Sequence, residues 1–319
     1  MAVYTDISAE DLNLFLADYD LGAASAFKGI AEGVENSNFL LDTTAGRYIL
    51  TVYERRVEPG DLPFFLGLLS HLAGKGFPCP TPVADRMGER LKPLLGKPAA
   101  IVSFLPGISV RRPTGAQCRA AGEGLAWLHE AAADFPGRRA NALGQSAWAP
   151  LFAPHQADAE ALRPGLAATI VADLAQIAAE WPEGLPQGVT HADYFPDNVF
   201  FLGGRFGGAI DFYFAANESL AYDLAIALNA WCFEVDGSFN VTKASALIGG
   251  YESRRPLTAA EREGLPVLAH GAAMRFFLTR LVDWGSTPPG SLVRPKDPRE
   301  YERRLAAHRQ GLDLAGLWK

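Results

Sequence analysis

The sequence predicts an α+β chain in two lobes: a small antiparallel-sheet lobe over residues 1–105 and a larger, mainly helical lobe over residues 106–319. Three observations predict it. The first hundred residues carry short runs of β-branched and aromatic residues closed by polar or Gly-containing turns. Pro106-Gly107 then breaks the chain. Beyond it, long segments place apolar residues at helical spacing.

The elements follow in order. Ser8 is placed to cap a short helix, with Asp11 at the capping-box position and Leu12, Phe15 and Leu16 on one face. Phe27-Lys28-Gly29-Ile30 runs into a polar turn at 31–36. Residues 38–43 and 47–54 read as a hairpin closed near Ala45-Gly46. Asp61-Leu62-Pro63 caps a helix carried by Phe64, Phe65, Leu68, Leu69 and Leu72, which ends at Gly74-Lys75-Gly76. Pro78, Pro80 and Pro82 hold the next stretch extended. Residues 91–95 and 98–105 read as two further strands. An amphipathic helix runs from Thr114 to about Ala133. More helices are expected at about 156–181, 218–234, 240–252, 258–285 and 297–312, with a hairpin at 197–212 between them.

The chain has 319 residues, 49% hydrophobic and 20% charged, enough to bury a sizeable core. A formal net charge of −7 argues against a nucleic-acid partner, which usually meets a basic face. It leaves nucleotide binding open, because such sites are built locally from backbone donors and a cation. Cys79, Cys118 and Cys232 are odd in number and far apart, so neither a disulfide framework nor a zinc site is expected. The start lacks a basic stretch followed by an apolar run, and no run of about 18 apolar residues occurs, so neither a signal peptide nor a membrane span is expected. The expectation is a reduced, cytoplasmic protein; the oligomeric state stays open.

The most informative stretch is His191-Ala192-Asp193-Tyr194-Phe195-Pro196-Asp197-Asn198, followed by Ile210-Asp211-Phe212. The order His-x-Asp-x-x-x-x-Asn, a short hairpin, then an Asp matches what phosphoryl transfer from ATP requires. Asp193 is the candidate base that accepts the proton of the attacking hydroxyl. Asn198 and Asp211 are candidate Mg²⁺ ligands, one neutral oxygen and one charged. His191 is expected to fix the loop, and Phe195-Pro196 to turn Asn198 back toward Asp193. Any one of these acids alone would read as a turn residue or a strand end.

The same residues carry a resemblance. Together with Gly124-Leu125-Ala126-Trp127-Leu128-His129 and Ala221-Tyr222-Asp223-Leu224-Ala225, they resemble the family of aminoglycoside phosphotransferases, choline kinases and their relatives, over about residues 20–285. The resemblance implies a two-lobed protein-kinase-like fold, with ATP held between the lobes and Mg²⁺ as the cation. Lys28-Gly29-Ile30-Ala31-Glu32-Gly33, Tyr48-Ile49-Leu50-Thr51-Val52-Tyr53-Glu54, Gly76-Phe77-Pro78-Cys79-Pro80-Thr81-Pro82 and the His191 motif look more specifically like the bacterial homoserine kinases of this fold. That implies L-homoserine as the small-molecule acceptor, on the route to threonine.

Read beside that family, Gly29 and Gly33 flank the first turn, where glycine would let backbone N–H groups approach phosphates. An ordinary hairpin turn accounts for them equally. Asn38 would touch phosphate or simply close the turn. Ser103 and Leu105 fall in the hinge, where backbone groups would meet the adenine edge. One departure stands out: the Lys that such a lobe usually carries on its third strand is absent, its position being taken by Thr51. The partner Glu on the following helix is not evident either. Asp223 is expected to pair with the catalytic loop. His71, His129, His155 and His270 show no metal-ligand spacing and read as helix or surface residues. Arg275 and Arg280 could reach an acceptor carboxylate, though a structural or solvated reading is the simpler one. Two rivals remain: a kinase of another small alcohol, such as an aminoglycoside or choline, and a nucleotide-binding pseudokinase, supported by the missing strand Lys.

Overall fold

A computed structural model describes residues 5–30, 36–54, 58–286 and 295–318. They fall into two compact units. One comprises Met1–Pro106, Phe135–Gly137 and Gly208–Tyr213; the other comprises Gly107–Asp134, Arg138–Gly207 and Phe214–Lys319.

The first unit begins with α1 (Ala9–Leu16). Its capping box forms in full: Ser8 Oγ accepts from the Asp11 N–H at 3.1 Å, and Asp11 Oδ2 accepts from the Ser8 N–H at 3.3 Å. The strands β1 (Ala24–Ile30), β2 (Ser37–Thr43), β3 (Gly46–Val52), β4 (Lys92–Leu94) and β5 (Lys97–Ser103) form one sheet in the order β1-β2-β3-β5-β4. Every neighbouring pair is antiparallel. Along β2, burial alternates, with Ser37, Phe39, Leu41 and Thr43 inward. Leu41, Leu50, Val52 and Ile101 pack with Leu12, Phe15 and Leu16 of α1. The helix α2 (Leu62–Gly74) packs Leu62, Phe65 and Leu66 with Tyr53 and Ala100. Asp61 occupies its N-cap position without a capping hydrogen bond. The reason is conformational: Asp61 ends a 3₁₀ turn, and its backbone is already helical (φ −86°, ψ −19°) rather than extended as a capping side chain needs.

The second unit holds α3 (Gly115–Ala131), α4 (Gln145–Phe152), α5 (Gln156–Leu162), α6 (Leu166–Glu180), β6 (Gln187–Thr190), β7 (Val199–Leu202), β8 (Arg205–Ala209, whose last two residues fall in the first unit), β9 (Ala216–Ser219), α7 (Leu220–Trp231), α8 (Val241–Glu252), α9 (Ala259–Ser286) and α10 (Arg299–Arg309). The expected helix at 156–181 is two helices. Pro164 cannot continue α5, and Gly165 at φ 78° starts α6 afresh. The helix α4 was not anticipated; it carries Pro150 internally. The start of the segment expected as helix at 218–234 is instead β9, which pairs antiparallel with β6. The most apolar stretch of α9, long enough to cross a membrane, is 78% buried inside the protein, as in a core helix. Cys79, Cys118 and Cys232 are buried free thiols.

Candidate active site

The strand β6 delivers the chain to His191-Ala192-Asp193. Two successive amides there need acceptors, and one buried side chain supplies both. Asp223 on α7 accepts from the His191 N–H at 2.7 Å and from the Ala192 N–H at 2.9 Å. Asp223 is completely buried, and so needs compensation. Burial pushes its carboxyl up, but His129, with the loop donors, outweighs that and holds it below the usual value. His129 on α3 presents Nε2 to Asp223 Oδ2 at 3.0 Å and Nδ1 to the Tyr251 hydroxyl at 2.8 Å. His129 is thus 4% exposed and central to the unit, not a surface residue.

With both amides held, Ala192 adopts φ 59°, a left-handed conformation uncommon for a non-glycine residue. The kink delivers Asp193, whose N–H donates to His191 Nδ1 at 3.3 Å. Trp231 Nε1 braces the next residue by donating to Tyr194 O at 2.8 Å. Phe195 is extended, and Pro196–Asn198 form a 3₁₀ turn closed by the Asn198 N–H on Phe195 O at 3.0 Å. The turn brings Asn198 Nδ2 to Asp193 O at 2.9 Å and to Asp193 Oδ2 at 3.0 Å. Asp193 and Asn198 are therefore in direct contact. Burial raises the Asp193 carboxyl above its ordinary value; the charges of Arg275, His191 and Lys296 oppose the rise. Arg275 donates through Nη1 to Ala192 O. Arg280, by contrast, pairs with Glu300 Oε2 at 2.6 Å.

Asp211 belongs to the first unit, with Gly208–Tyr213. It is exposed and also adopts a left-handed φ, 64°. Gly29 sits in β1 opposite Phe39. Gly33 lies outside the described residues. Asn38 on β2 accepts at Oδ1 from the Thr51 hydroxyl at 2.8 Å, so the β3 position that lacks a Lys is tied to the neighbouring strand. The Ser103 N–H donates to Thr81 O at 2.9 Å, and the Phe104 N–H to Arg47 O at 3.2 Å. Of Ser103 and Leu105, then, Ser103 has its amide committed to Thr81 O.

A cation from another strand meets the chain just past β3. Lys97 Nζ on β5 pairs with Glu54 Oε2 at 2.5 Å, while Glu54 Oε1 accepts from Ser37 Oγ at 2.7 Å and Thr5 Oγ1 at 2.6 Å. Burial raises the Glu54 carboxyl, but the Lys97, Thr5 and Ser37 hydrogen bonds prevail and hold it low. Lys97 lies 43 residues from Glu54, so no local spacing announces the pair.

Comparison with known proteins follows the same lines. A homoserine kinase of Caulobacter sp. (strain K31) is 68% identical over 317 residues, 99% of this chain and 99% of that protein. A homoserine kinase of Phenylobacterium zucineum (strain HLK1) is 67% identical over 314 residues, 98% of this chain and 97% of that protein. Among solved structures, a microcompartment-associated aminopropanol kinase matches with a TM-score of 0.73 at 18% identity, covering 97% of this chain and 99% of that one. An amicoumacin kinase in complex with AMP-PNP, Ca²⁺ and Ami matches with a TM-score of 0.69 at 15% identity, covering 97% and 94%. Such identities show the fold alone, and they bear out the kinase-like expectation. The model of the phosphotransferase enzyme family matches residues 26–257, most of the chain. With its near-full-length relatives, that match makes this chain a member of the phosphotransferase enzyme family.

Proposed function

We propose that this chain transfers the γ-phosphoryl group of ATP to the side-chain hydroxyl of L-homoserine, with Mg²⁺ as the cation. The acceptor is supported by the 68% identity, across 99% of both chains, to a homoserine kinase. The chemistry is supported by one observation: a single amide nitrogen of Asn198 donates both to the main chain and to the carboxylate of Asp193.

That contact assigns roles. Asp193 is held in one orientation, with Oδ2 hydrogen-bonded and Oδ1 left to align the acceptor hydroxyl and take its proton late in the transfer. Because Asn198 spends Nδ2 on Asp193, its Oδ1 is the atom left to offer a metal. Asp211 would add a charged oxygen. Two hard oxygen donors fit Mg²⁺, which keeps several waters and takes phosphate oxygens for the rest. When bound, the ion would supply charge neutralisation for the phosphates. Ser103 has its amide engaged, so Leu105 is the hinge residue expected to meet the adenine edge. Gly29 and Asn38, with Gly33, are expected at the phosphate-covering turn. Lys97 is not assigned to phosphate, because Glu54 already takes its charge.

The test is ATP consumption by the purified protein with Mg²⁺ and L-homoserine, beside L-serine, choline and kanamycin. Turnover with homoserine alone is expected. Turnover only with another acceptor would discard the homoserine assignment and keep the phosphotransfer roles. ATP binding with no turnover on any acceptor would favour the pseudokinase.

A further inference from the structure

The helix α9 carries two arginines into the interior of the second unit. Arg280 is paired: it donates to Glu300 and lies over the Tyr301 ring, 4.5 Å from its centroid. Arg275 is different. It is 3% exposed. Among the described residues no carboxylate lies within ion-pair distance of it, and Nε has no acceptor. Its hydrogen bond goes from Nη1 to Ala192 O, the residue before Asp193. The guanidinium lies 4.2 Å from the Phe276 ring centroid and 5.2 Å from that of Phe214, contacts that exclude water but bring no formal negative charge. Its charge acts on Asp193, but no ion pair forms between them, and a guanidinium withdrawn from water without an ion-pair partner is strongly disfavoured.

Two more donors in the same neighbourhood lack acceptors. Tyr222 on α7 and Tyr301 on α10 are 1% and 0% exposed, and neither hydroxyl has a hydrogen-bond partner. Arg275 is the foremost charge acting on the Tyr222 phenol, and Tyr301 acts on it too. The charges of Arg304 and Arg280, and after them Glu300 and Asp193, act on Tyr301. Arg275, whose Nε lacks an acceptor, thus lies against the loop that carries the candidate base, and two buried hydroxyls without partners stand on the helices α7 and α10. Of the other cations nearby, Arg280 and Arg304 lie over the Tyr301 ring and pair with Glu300, and Lys296 is exposed and already faces Asp197 at 3.5 Å.

We propose that Arg275, with the hydroxyls of Tyr222 and Tyr301, binds the α-carboxylate of the acceptor. The assignment rests on the reading of that acceptor as L-homoserine. It is a short γ-hydroxy amino acid whose carboxylate lies about 5 Å from its hydroxyl oxygen. A group seated one residue from Asp193 suits that reach. Arg suits the task because its fork takes a carboxylate through two N–H groups. A carboxylate bound there also selects the acceptor: an amino alcohol without one would leave the guanidinium buried and unpaired.

The experiment compares kcat/KM for L-homoserine with that for 3-amino-1-propanol, the same chain with hydrogen in place of the carboxylate. It uses the wild-type protein, Arg275→Gln, Tyr222→Phe and Tyr301→Phe. The homoserine-to-aminopropanol ratio is expected to fall about 100-fold in Arg275→Gln and about 5-fold in each Phe variant, carried mainly by KM for homoserine. The Phe variants keep the packed rings, so they stay informative if Arg275→Gln folds poorly. Equal losses on both acceptors would make Arg275 a brace for the loop and overturn the assignment, while leaving homoserine phosphorylation standing. A wild-type protein that phosphorylates neither acceptor overturns the acceptor reading and the assignment together. Where turnover of the analogue is too slow to measure, calorimetric titration of homoserine into Arg275→Gln decides: affinity about 100-fold weaker supports the assignment, and unchanged affinity overturns it.

Discussion

Asn198 donates from one amide nitrogen to two atoms of Asp193, the main-chain oxygen at 2.9 Å and Oδ2 at 3.0 Å. The contact orients the carboxylate and also fixes which end of the amide faces away. Four residues of intervening chain would not hold this arrangement unaided. The 3₁₀ turn at Pro196–Asn198 and the extended Phe195 do so.

Asp193→Asn removes the base but keeps the shape, since an amide can still accept from Asn198. Its kcat with L-homoserine is expected to fall about 10³-fold, in the range of a lost general base. ATP affinity should stay within about threefold, because the base is not expected to touch the nucleotide. A single-turnover assay with a parallel nucleotide titration reads both quantities. Near-wild-type kcat would remove Asp193 from the mechanism.

Asp223 anchors the loop through both the His191 and Ala192 amides and is itself held by His129. Asp223→Ala leaves two amides and a buried imidazole without their acceptor. The expected loss of stability is about 3–5 kcal/mol, because three buried hydrogen bonds to one carboxylate are lost together. Urea unfolding followed by tryptophan fluorescence checks it. A loss below about 1 kcal/mol would mean that water enters and takes over the role of the carboxylate.

What the sequence made legible, and what it did not, follows from distance along the chain. Asp193 and Asn198 share one loop, so their spacing reports their geometry directly. The Ser8–Asp11 capping box and the β2–β3 hairpin are local in the same sense. Other pairs are remote: His129 with Asp223 and Arg275 with Ala192 O in the second unit, and Lys97 with Glu54 in the first. Nothing in a single sequence marks these contacts. Helix breaks fell between the two cases. Pro164-Gly165 is a local signal, but the Ala-rich periodicity on both sides of it masked the end of α5.

Another remote relationship is the crossing of α3 and α8. A Cβ on Gly122 would lie 1.9 Å from Leu247 O, and one on Gly250 would lie 1.9 Å from Arg119 O. Both obstacles are backbone, so the helices would have to separate. The crossing also sets His129 beside Tyr251, which links it to the Asp223 anchor. Gly122→Ala gains about 1 kcal/mol of helix propensity and loses about 3 kcal/mol to overpacking. A net destabilisation of about 2 kcal/mol is expected. Gly74→Ala at the exposed end of α2 meets nothing within 4 Å and serves as the control, neutral or slightly stabilising. Thermal unfolding of the two variants side by side separates a clash from a general intolerance of Gly→Ala changes.

His308 on α10 gives a pH-dependent stability of defined sign. Its Nε2 meets Asn229 Oδ1 at 2.9 Å, and its ring stacks on His270 with centroids 5.6 Å apart. Burial first, then the charges of His270, Arg304 and Arg309, lower its pKa from 6.5 to about 3. The folded protein therefore keeps this imidazole neutral down to about pH 3, whereas the unfolded chain takes up the proton below 6.5. Its contribution is complete above pH 6.5 and is lost as pH falls from 6.5 toward 3. Linkage sets the slope at about 1.4 kcal/mol per pH unit for one proton. Between pH 7.5 and 5.5 the wild-type protein should lose about 1.4 kcal/mol more stability than His308→Gln, which can keep the hydrogen bond to Asn229 but does not titrate. Urea unfolding of both proteins at the two pH values measures the difference. Parallel losses would show that His308 titrates in the folded protein much as it does in the unfolded one.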